Sequence, residues 1–260
     1  MTDTIIIIPA RMGSSRFPGK MLAPIAGRPL IQHSCRAAMR TRGARAVYVA
    51  TDSTRIADAA RAAGAEVLMT DDRPRNGTER VAQALAQLPA TPGLVINFQG
   101  DAPLTPPWFT EALIRAAEER PDMDMLTPVV RCTPRALAAL RADRKAGRVG
   151  ATTAVFDQAE RALYFSKEIL PHGATEKDDP PQVFHHVGLY AYRPEALKRY
   201  AALPEGRLER LEGLEQLRFL ENGLKVGVVR VKTRGRSFWE VNNPEDTAMV
   251  EEIMAREGAP

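Results

Sequence analysis

The sequence predicts an α/β fold: a doubly wound, mostly parallel sheet with helices on both faces. Three observations predict it. Short apolar runs alternate with Ala-, Arg- and Glu-rich stretches of helical length, which is the rhythm of βαβ units. Two runs, Ile5–Pro9 and "LVINF" at 94–98, are almost wholly apolar, as strands buried on both faces must be. Polar, Gly- and Pro-containing loops follow both runs. In open parallel sheets ligands sit at the carboxyl ends of strands.

Taken in order, Ile5–Pro9 is the first strand and Ile31–Arg42 a helix. "AVYVA" at 46–50 is a strand, and Ser53–Ala63 a helix that Gly64 stops. Val67–Met69 is a short strand, Gly77–Leu88 a helix, and Leu94–Phe98 a buried strand. Pro107–Glu119 is a helix with Pro in its first turn. The second half changes character. Ala151–Asp157 and Val187–Arg193 read as strands around a Pro- and Asp-rich loop at 171–182. Leu208–Asn222 reads as one helix ended by Gly223, and Lys225–Lys232 alternates like a strand. Pro244–Ala255 is the closing helix, with Asn242 or Asn243 near its cap. No repeat or low-complexity linker divides the 260 residues. The expectation is a single domain, 1–260, with 152–205 as an accessory or dimerising flap.

Composition narrows the function classes. The net charge is +4, but basic residues are interspersed with acidic ones and aromatics make up only 6%. No stacking or recognition-helix motif accompanies the charge, so nucleic acid is not expected as a partner. The apolar opening is too short for a membrane span and lacks the basic residues that precede a signal peptide's apolar region. No membrane association is expected. Cys35 and Cys132 are far apart and follow no metal or redox spacing. They read as reduced thiols of a cytoplasmic protein.

Two loops could carry chemistry. "PARMGSSRFPGK" at 9–20 combines a turn at Gly13–Ser15 with Arg11, Arg16 and Lys20. It is not a P-loop, because five residues separate the glycines and Met21 follows the lysine. Its cations could hold phosphate oxygens; a solvated basic loop is the plain alternative. "QGDAPL" at 99–104 places Asp101 at the end of an apolar strand. That suits a Mg²⁺ bridging phosphates, although Gly-Asp before a Pro is also common turn chemistry.

Together with "NGTERV" at 76–81, these loops resemble the nucleotidyltransferases that couple CTP to a sugar acid. The family is CMP-Kdo synthetase, 3-deoxy-manno-octulosonate cytidylyltransferase. The likeness runs in order through "IIPARMGSSRFPGKMLAPIAGRPLIQH", "VYVATDS", "NFQGDAPL", "ALYFSKEILP", "HHVGLYAYR" and "LEGLEQLRFLENG". It implies a Rossmann-like nucleotide-binding sheet, a homodimer and transfer of CMP from CTP with release of pyrophosphate. Arg11, Ser14 and Lys20, helped by Arg16, would hold the CTP phosphates. Asn76, Gly77, Thr78 and Arg80 would read the base, with Gln99 nearby. Asp101 would bind Mg²⁺. His186, Glu212, Glu215 and Gln216 would line the acceptor pocket, with Tyr190 close by.

On their residues alone, some of these positions have plain readings. Of the strand pair His185–His186, one should point inward as a core residue. Glu212 and Glu215 at i, i+3 would normally face solvent beside Arg218.

Three positions depart from the family pattern. Its second metal carboxylate falls on Asn242, which offers only a neutral oxygen. An acceptor-side arginine is Lys167, which cannot make a planar two-pronged contact. A mid-chain lysine is Thr153. These departures leave open an acceptor other than Kdo, such as a modified sugar acid or a phosphonate, as well as a slower Kdo enzyme. A non-catalytic nucleotide-binding paralogue is a further alternative, and a kinase or NTPase is disfavoured by the failed P-loop.

Overall fold

A computed structural model describes residues 2–14, 16–147, 151–178 and 180–258. Ser15, the last residue of the expected Gly13–Ser15 turn, lies outside the described residues. The chain runs β1 (Thr4–Ala10), two-residue strands β2 (Pro24–Ile25) and β3 (Arg28–Pro29), α1 (Leu30–Met39), β4 (Ala46–Thr51) and α2 (Thr54–Ala62). It continues through β5 (Glu66–Met69), α3 (Gly77–Leu85), β6 (Leu94–Phe98), α4 (Pro107–Glu119), β7 (Met125–Arg131) and α5 (Pro134–Lys145). Then follow β8 (Thr153–Phe156), β9 (Ala162–Ser166), β10 (Phe184–His186), β11 (Leu189–Tyr192) and α6 (Pro194–Ala202). The chain closes with α7 (Arg207–Glu212), α8 (Leu217–Glu221), β12 (Val226–Val231) and α9 (Asp246–Glu257).

Among the described residues, ten strands form one sheet in the order β5-β4-β1-β6-β11-β7-β10-β8-β9, with β12 also paired to β7. β1 runs parallel to β4 and β6, β4 to β5, and β7 to β12. β11 is antiparallel to both β6 and β7. The run β5-β4-β1-β6 and the β7–β12 pair are thus parallel, as expected of a mostly parallel α/β sheet, and the antiparallel pairings lie from β11 to β9. Residues 152–205 supply β8 to β11 and α6, and β11 lies inside the central sheet.

The isoleucine run shows why this sheet buries both faces. Side chains alternate along a strand. Ile6 and Ile8 pack with Leu30, Ile56, Phe109 and Ile253, beneath α1, α2, α4 and α9. Ile5 and Ile7 pack on the other face with Val81, Leu197 and Phe219, from α3, α6 and α8. All four are 0% exposed, and each such burial contributes about 1.5–3 kcal/mol. Cys35 and Cys132 are buried free thiols. Burial pushes Cys35 up to about 12 and also raises Cys132.

Helix starts follow from short polar side chains. Ser53 and Asn76 accept from the backbone N–H groups of Ile56 and Glu79, capping α2 and α3. Ala26 and Gly27 both have positive φ, 47° and 76°, and turn β2 tightly into β3.

Three local expectations are corrected. The stretch 208–222 is two helices, because Gly213 takes the left-handed conformation (φ 62°) and caps α7. The apolar spacing of "LEGLEQL" continues across the break, which hides it in the sequence. The expected strand Val187–Arg193 begins at Leu189, after a break that separates it from β10. At the closing helix neither asparagine caps: Glu245 holds the N-cap position with no side-chain cap, and the Asp246 carboxylate instead ties down the preceding segment, accepting from the N–H groups of Asn242 and Asn243 at 2.8 and 2.7 Å.

Candidate active site

A cleft of about 530 Å³ opens where β1, β6 and α3 meet. That size suits a small-molecule ligand. Its lining includes Arg11, Arg16, Asn76, Gly77, Gln99 and Asp101 from the first half of the chain. The second half adds His185, His186, Tyr190, Glu215, Gln216 and Glu240.

One corner concentrates charge. Lys20 Nζ lies 2.5 Å from Asp101 Oδ2 and donates to the Val241 carbonyl at 3.1 Å. Val241 N–H donates to the Asp101 carbonyl at 2.8 Å, so the strand-end turn and the segment before α9 are laced together. Gly100, inside that turn, is held through its carbonyl by Ser34 Oγ at 2.6 Å. Arg16 Nη2 donates to Asn242 Oδ1 at 3.0 Å. Arg11 is exposed at the rim of the cleft. Ser14 Oγ accepts from Phe17 N–H at 3.4 Å and folds the loop back.

The sequence reading missed Glu240. It lines the same cleft, and its Oε1 lies 3.2 Å from the place a Cβ on Gly188 would occupy. Burial, and then the negative charge of Asp101, push its carboxyl up to about 7; Lys20 partly opposes this. The signal was its place two residues before Asn242, one of the departures from the family pattern. Among the described residues no group of three or more His, Cys, Asp or Glu is arranged for a metal. Two crowded carboxylates and an amide oxygen nevertheless form an all-oxygen donor set. Mg²⁺ is commonly held by one or two carboxylates together with substrate phosphates, so this corner fits such an ion.

The residues expected to read the base divide. Asn76, Gly77 and Gln99 line the cleft. Asn76 Oδ1 caps α3 at 2.8 Å and its Nδ2 donates to Tyr200 OH at 2.9 Å. Gln99 Nε2 donates to Asn97 Oδ1 at 3.1 Å. Thr78 and Arg80 are buried beneath the lining. Thr78 Oγ1 bonds Tyr192 OH at 2.7 Å. Arg80 donates to Asp52 at 3.0 Å, the Asp71 carbonyl at 3.1 Å and Thr70 Oγ1, tying the loop before α3 to the end of β4.

The residues expected on the acceptor side divide as well. His186 Nε2 is 2.8 Å from Thr127 Oγ1, and its ring packs edge-on against Phe165. His185 lies near Phe238, so the pair alternates between faces. Burial lowers His186 to about 3 and His185 to about 4, leaving both neutral. Tyr190 OH donates to Gln216 Oε1 at 3.3 Å, while Gln216 Nε2 is buried without a partner among the described residues. Glu215 accepts from Thr78 N–H at 2.9 Å, and burial raises its carboxyl above the usual range. Glu212 turns away from the cleft, accepting from Ser166 Oγ at 2.7 Å and Lys167 N–H at 2.9 Å. Thr153 Oγ1 donates to the Glu168 carbonyl at 2.7 Å.

Arg218 was not expected in the lining. It is 1% exposed, donates to both oxygens of Glu209 at 2.6 and 2.7 Å, and stacks 4.2 Å over the Tyr200 ring. Arg75, Glu205 and Arg210 complete that end of the cleft.

A cationic loop and a carboxylate turn meeting at the strand ends of an α/β sheet make a site for nucleotide phosphates. The sequence pattern of the cytidylyltransferase family matches residues 5–226. The chain belongs to this family of nucleotidyltransferases, the one expected from its loops. It is 45% identical over 256 residues to the 3-deoxy-manno-octulosonate cytidylyltransferase of Maricaulis maris, covering 98% of each chain. It is 42% identical over 255 residues to the 8-amino-3,8-dideoxy-manno-octulosonate cytidylyltransferase of Shewanella halifaxensis, covering 97% of this chain and 99% of that one. The solved structure of CMP:2-keto-3-deoxy-manno-octonic acid synthetase complexed with CTP matches with a TM-score of 0.84 at 32% identity, over 98% of this chain and 100% of that one. A cytidylyltransferase from Leptospira borgpetersenii, 13% identical with a TM-score of 0.62 over 98% of this chain and 88% of that one, shares the fold.

Proposed function

We propose that the protein transfers CMP from CTP to the anomeric hydroxyl of Kdo, releasing pyrophosphate and activating Kdo for lipopolysaccharide or capsule precursors. One observation carries the reading. The Arg11–Lys20 loop and Asp101 form one wall of a cleft whose other wall holds His186, Tyr190, Glu215 and Gln216. Charge suited to a triphosphate and hydrogen-bonding groups suited to a polyhydroxy acid thus share one cavity. The extent of identity with the Maricaulis relative supports Kdo as the acid.

The acceptor oxygen attacks the α-phosphorus in line, the bond to pyrophosphate breaks, and the hydroxyl proton passes to solvent. Arg11, Arg16 and Lys20 hold the phosphates and offset the charge that collects on the departing pyrophosphate. Gln99, Gly77 and Asn76 border the base. Tyr190 and Gln216 orient the acid, and the unpartnered Gln216 amide is a donor available to it. Asp101 and the 240–242 segment would hold Mg²⁺, which when bound neutralises phosphate charge. Catalysis is positioning plus electrostatics, with no covalent intermediate.

The test is pyrophosphate release from CTP and Mg²⁺ with and without Kdo, followed by the mass of the product. Kdo-dependent release with a CMP-Kdo mass is expected. CTP binding without release would reject the reading.

The Shewanella relatives favour a second reading, in which the acid is the 8-amino form; Lys167 in place of the family arginine also sets this acceptor side apart. Competition between the two acids for one enzyme, read as a ratio of kcat/KM values, separates the readings. A cytoplasmic homodimer fits the buried thiols and exposed Leu163 and Leu211, 58% and 70% accessible. Those leucines lie on β9 and α7, which Glu212 joins through Ser166. Among the described residues no helix is long and apolar enough to cross a membrane. Light scattering reports the oligomeric state.

A further inference from the structure

We infer that Tyr192 and Thr78 are positioning residues: their hydroxyl pair fixes the turn at the start of α3 to an aromatic stack that also carries the acceptor side, and so couples the two halves of the cleft. This rests on the cytidylyltransferase reading of the cleft.

Four rings stand in a row beneath the lining. Tyr190 stacks on Tyr192 with centroids 5.8 Å apart and planes at 18°. Tyr192 stacks on Phe219 at 5.5 Å and 12°, and Phe219 on Tyr200 at 4.9 Å and 22°. They come from β11, α8 and α6, and all four are buried. Close-packed interiors of this kind pass a displacement on rather than absorb it.

The polar ends of the stack hold both sides of the cleft. On the base side, Asn76 Nδ2 donates to Tyr200 OH at 2.9 Å, and Thr78 Oγ1 bonds Tyr192 OH at 2.7 Å. The two residues flanking Gly77, which lines the cleft, are thus pinned to two rings of one stack. On the acceptor side, Tyr190 OH donates to Gln216 Oε1 at 3.3 Å. A second link runs through the backbone. The Thr78 N–H, in the first turn of α3, has no acceptor within its helix. It donates instead to Glu215 at 2.9 Å, 137 residues further on and next to Gln216.

Thr78 and Tyr192 are both 0% exposed, so each acts through the residues that line the cleft. Apolar contact between rings is non-directional, and the hydroxyl pair supplies the missing direction. It sets where the base-side turn stands relative to the Gln216 amide. In-line transfer depends on that spacing, because a small misplacement of the α-phosphorus takes it off the line of the acceptor oxygen.

The experiment uses Tyr192→Phe, Thr78→Val and the two together, which remove the hydroxyls and keep the shapes. Each single variant is expected to lower kcat roughly ten- to a hundredfold, the scale of a misplaced reactant, with little change in KM for CTP. Each should also melt at a lower temperature, because one buried hydroxyl loses its partner. The pair removes both hydroxyls, so its melting temperature is expected to recover while kcat stays low and falls no further than in the singles. Hydrogen exchange reads the coupling without turnover. In the parent protein CTP is expected to slow exchange at 214–217 as well as at 76–80, and in the double variant at 76–80 alone. Unaltered kcat in Tyr192→Phe, a kcat that recovers together with the melting temperature, or no effect of CTP at 214–217 of the parent would each overturn the assignment. A parent protein in which CTP slows exchange at 214–217 but from which no CMP passes to Kdo would reject the acceptor reading and leave the coupling standing.

Discussion

Lys20 and Asp101, 81 residues apart in sequence, are joined at 2.5 Å, and the same ammonium also binds the Val241 carbonyl. One side chain thus fastens the loop after β1, the turn after β6 and the segment before α9. Replacing it should cost chemistry more than fold. Lys20→Ala is expected to lower CMP transfer by about 10²–10³-fold, the scale for removing one donor from developing charge. The measurement is pyrophosphate release, with circular dichroism as the control for folding. An unaltered rate would reduce Lys20 to a staple between loops.

Arg218 makes a different kind of pair. It is enclosed, and its guanidinium binds both oxygens of Glu209 and reaches Glu79 at 3.0 Å. Arg218→Met leaves a buried carboxylate without its partner, at a cost of about 3–5 kcal/mol. Urea denaturation reads the loss. Adding Glu209→Met should recover part of it, since no unpaired charge then remains at 209.

Gly213 tests the break between α7 and α8. Its left-handed conformation penalises any side chain by about 1–2 kcal/mol. Gly213→Ala should therefore destabilise the protein by about that amount. Because Glu215 and Gln216 follow the break, it should also raise KM for the acceptor more than it lowers kcat. Steady-state kinetics with varied acceptor separates the two effects.

Acid should weaken the fold through His186. Unfolded, it takes up its proton near 6.5; folded, burial delays this to about 3. Between those values the unfolded chain holds more protons, so stability falls as pH falls, and above about 6.5 the contribution is constant. The slope from this residue approaches about 1.4 kcal/mol per pH unit, and His185 adds to it in the same direction. Denaturation at pH 7, 6 and 5 should show the decline, and His186→Gln should flatten it.

The parts of the fold that were legible share one cause. Ile5–Ile8 and Leu94–Phe98 are strands buried on both sides, so their hydrophobicity needs no partner to be seen. Ser53 and Asn76 announce their helices by local hydrogen bonds. β7, β9, α5 and α6 were not anticipated. β7 includes Thr127 and Pro128 and owes its place to pairing with β10, β11 and β12, which lie far along the chain.

In the cleft, Lys20 and Asp101 were legible because each sits on a loop directly after a buried strand. The lining position of Arg218 and the inward turn of Glu240 depend on contacts across the tertiary structure. Thr78 and Arg80 show the converse. Their motif places them at the start of α3, but helical geometry turns both side chains beneath the surface that Asn76 and Gly77 present.

The two thiols have a practical consequence. Cys35 and Cys132 are enclosed, and burial disfavours the reactive thiolate of each. Maleimide reagents should therefore pass over the native chain. A cysteine introduced at exposed Met249 on α9 would be labelled selectively, so a fluorophore or spin label could report from that surface with the natural cysteines left in place.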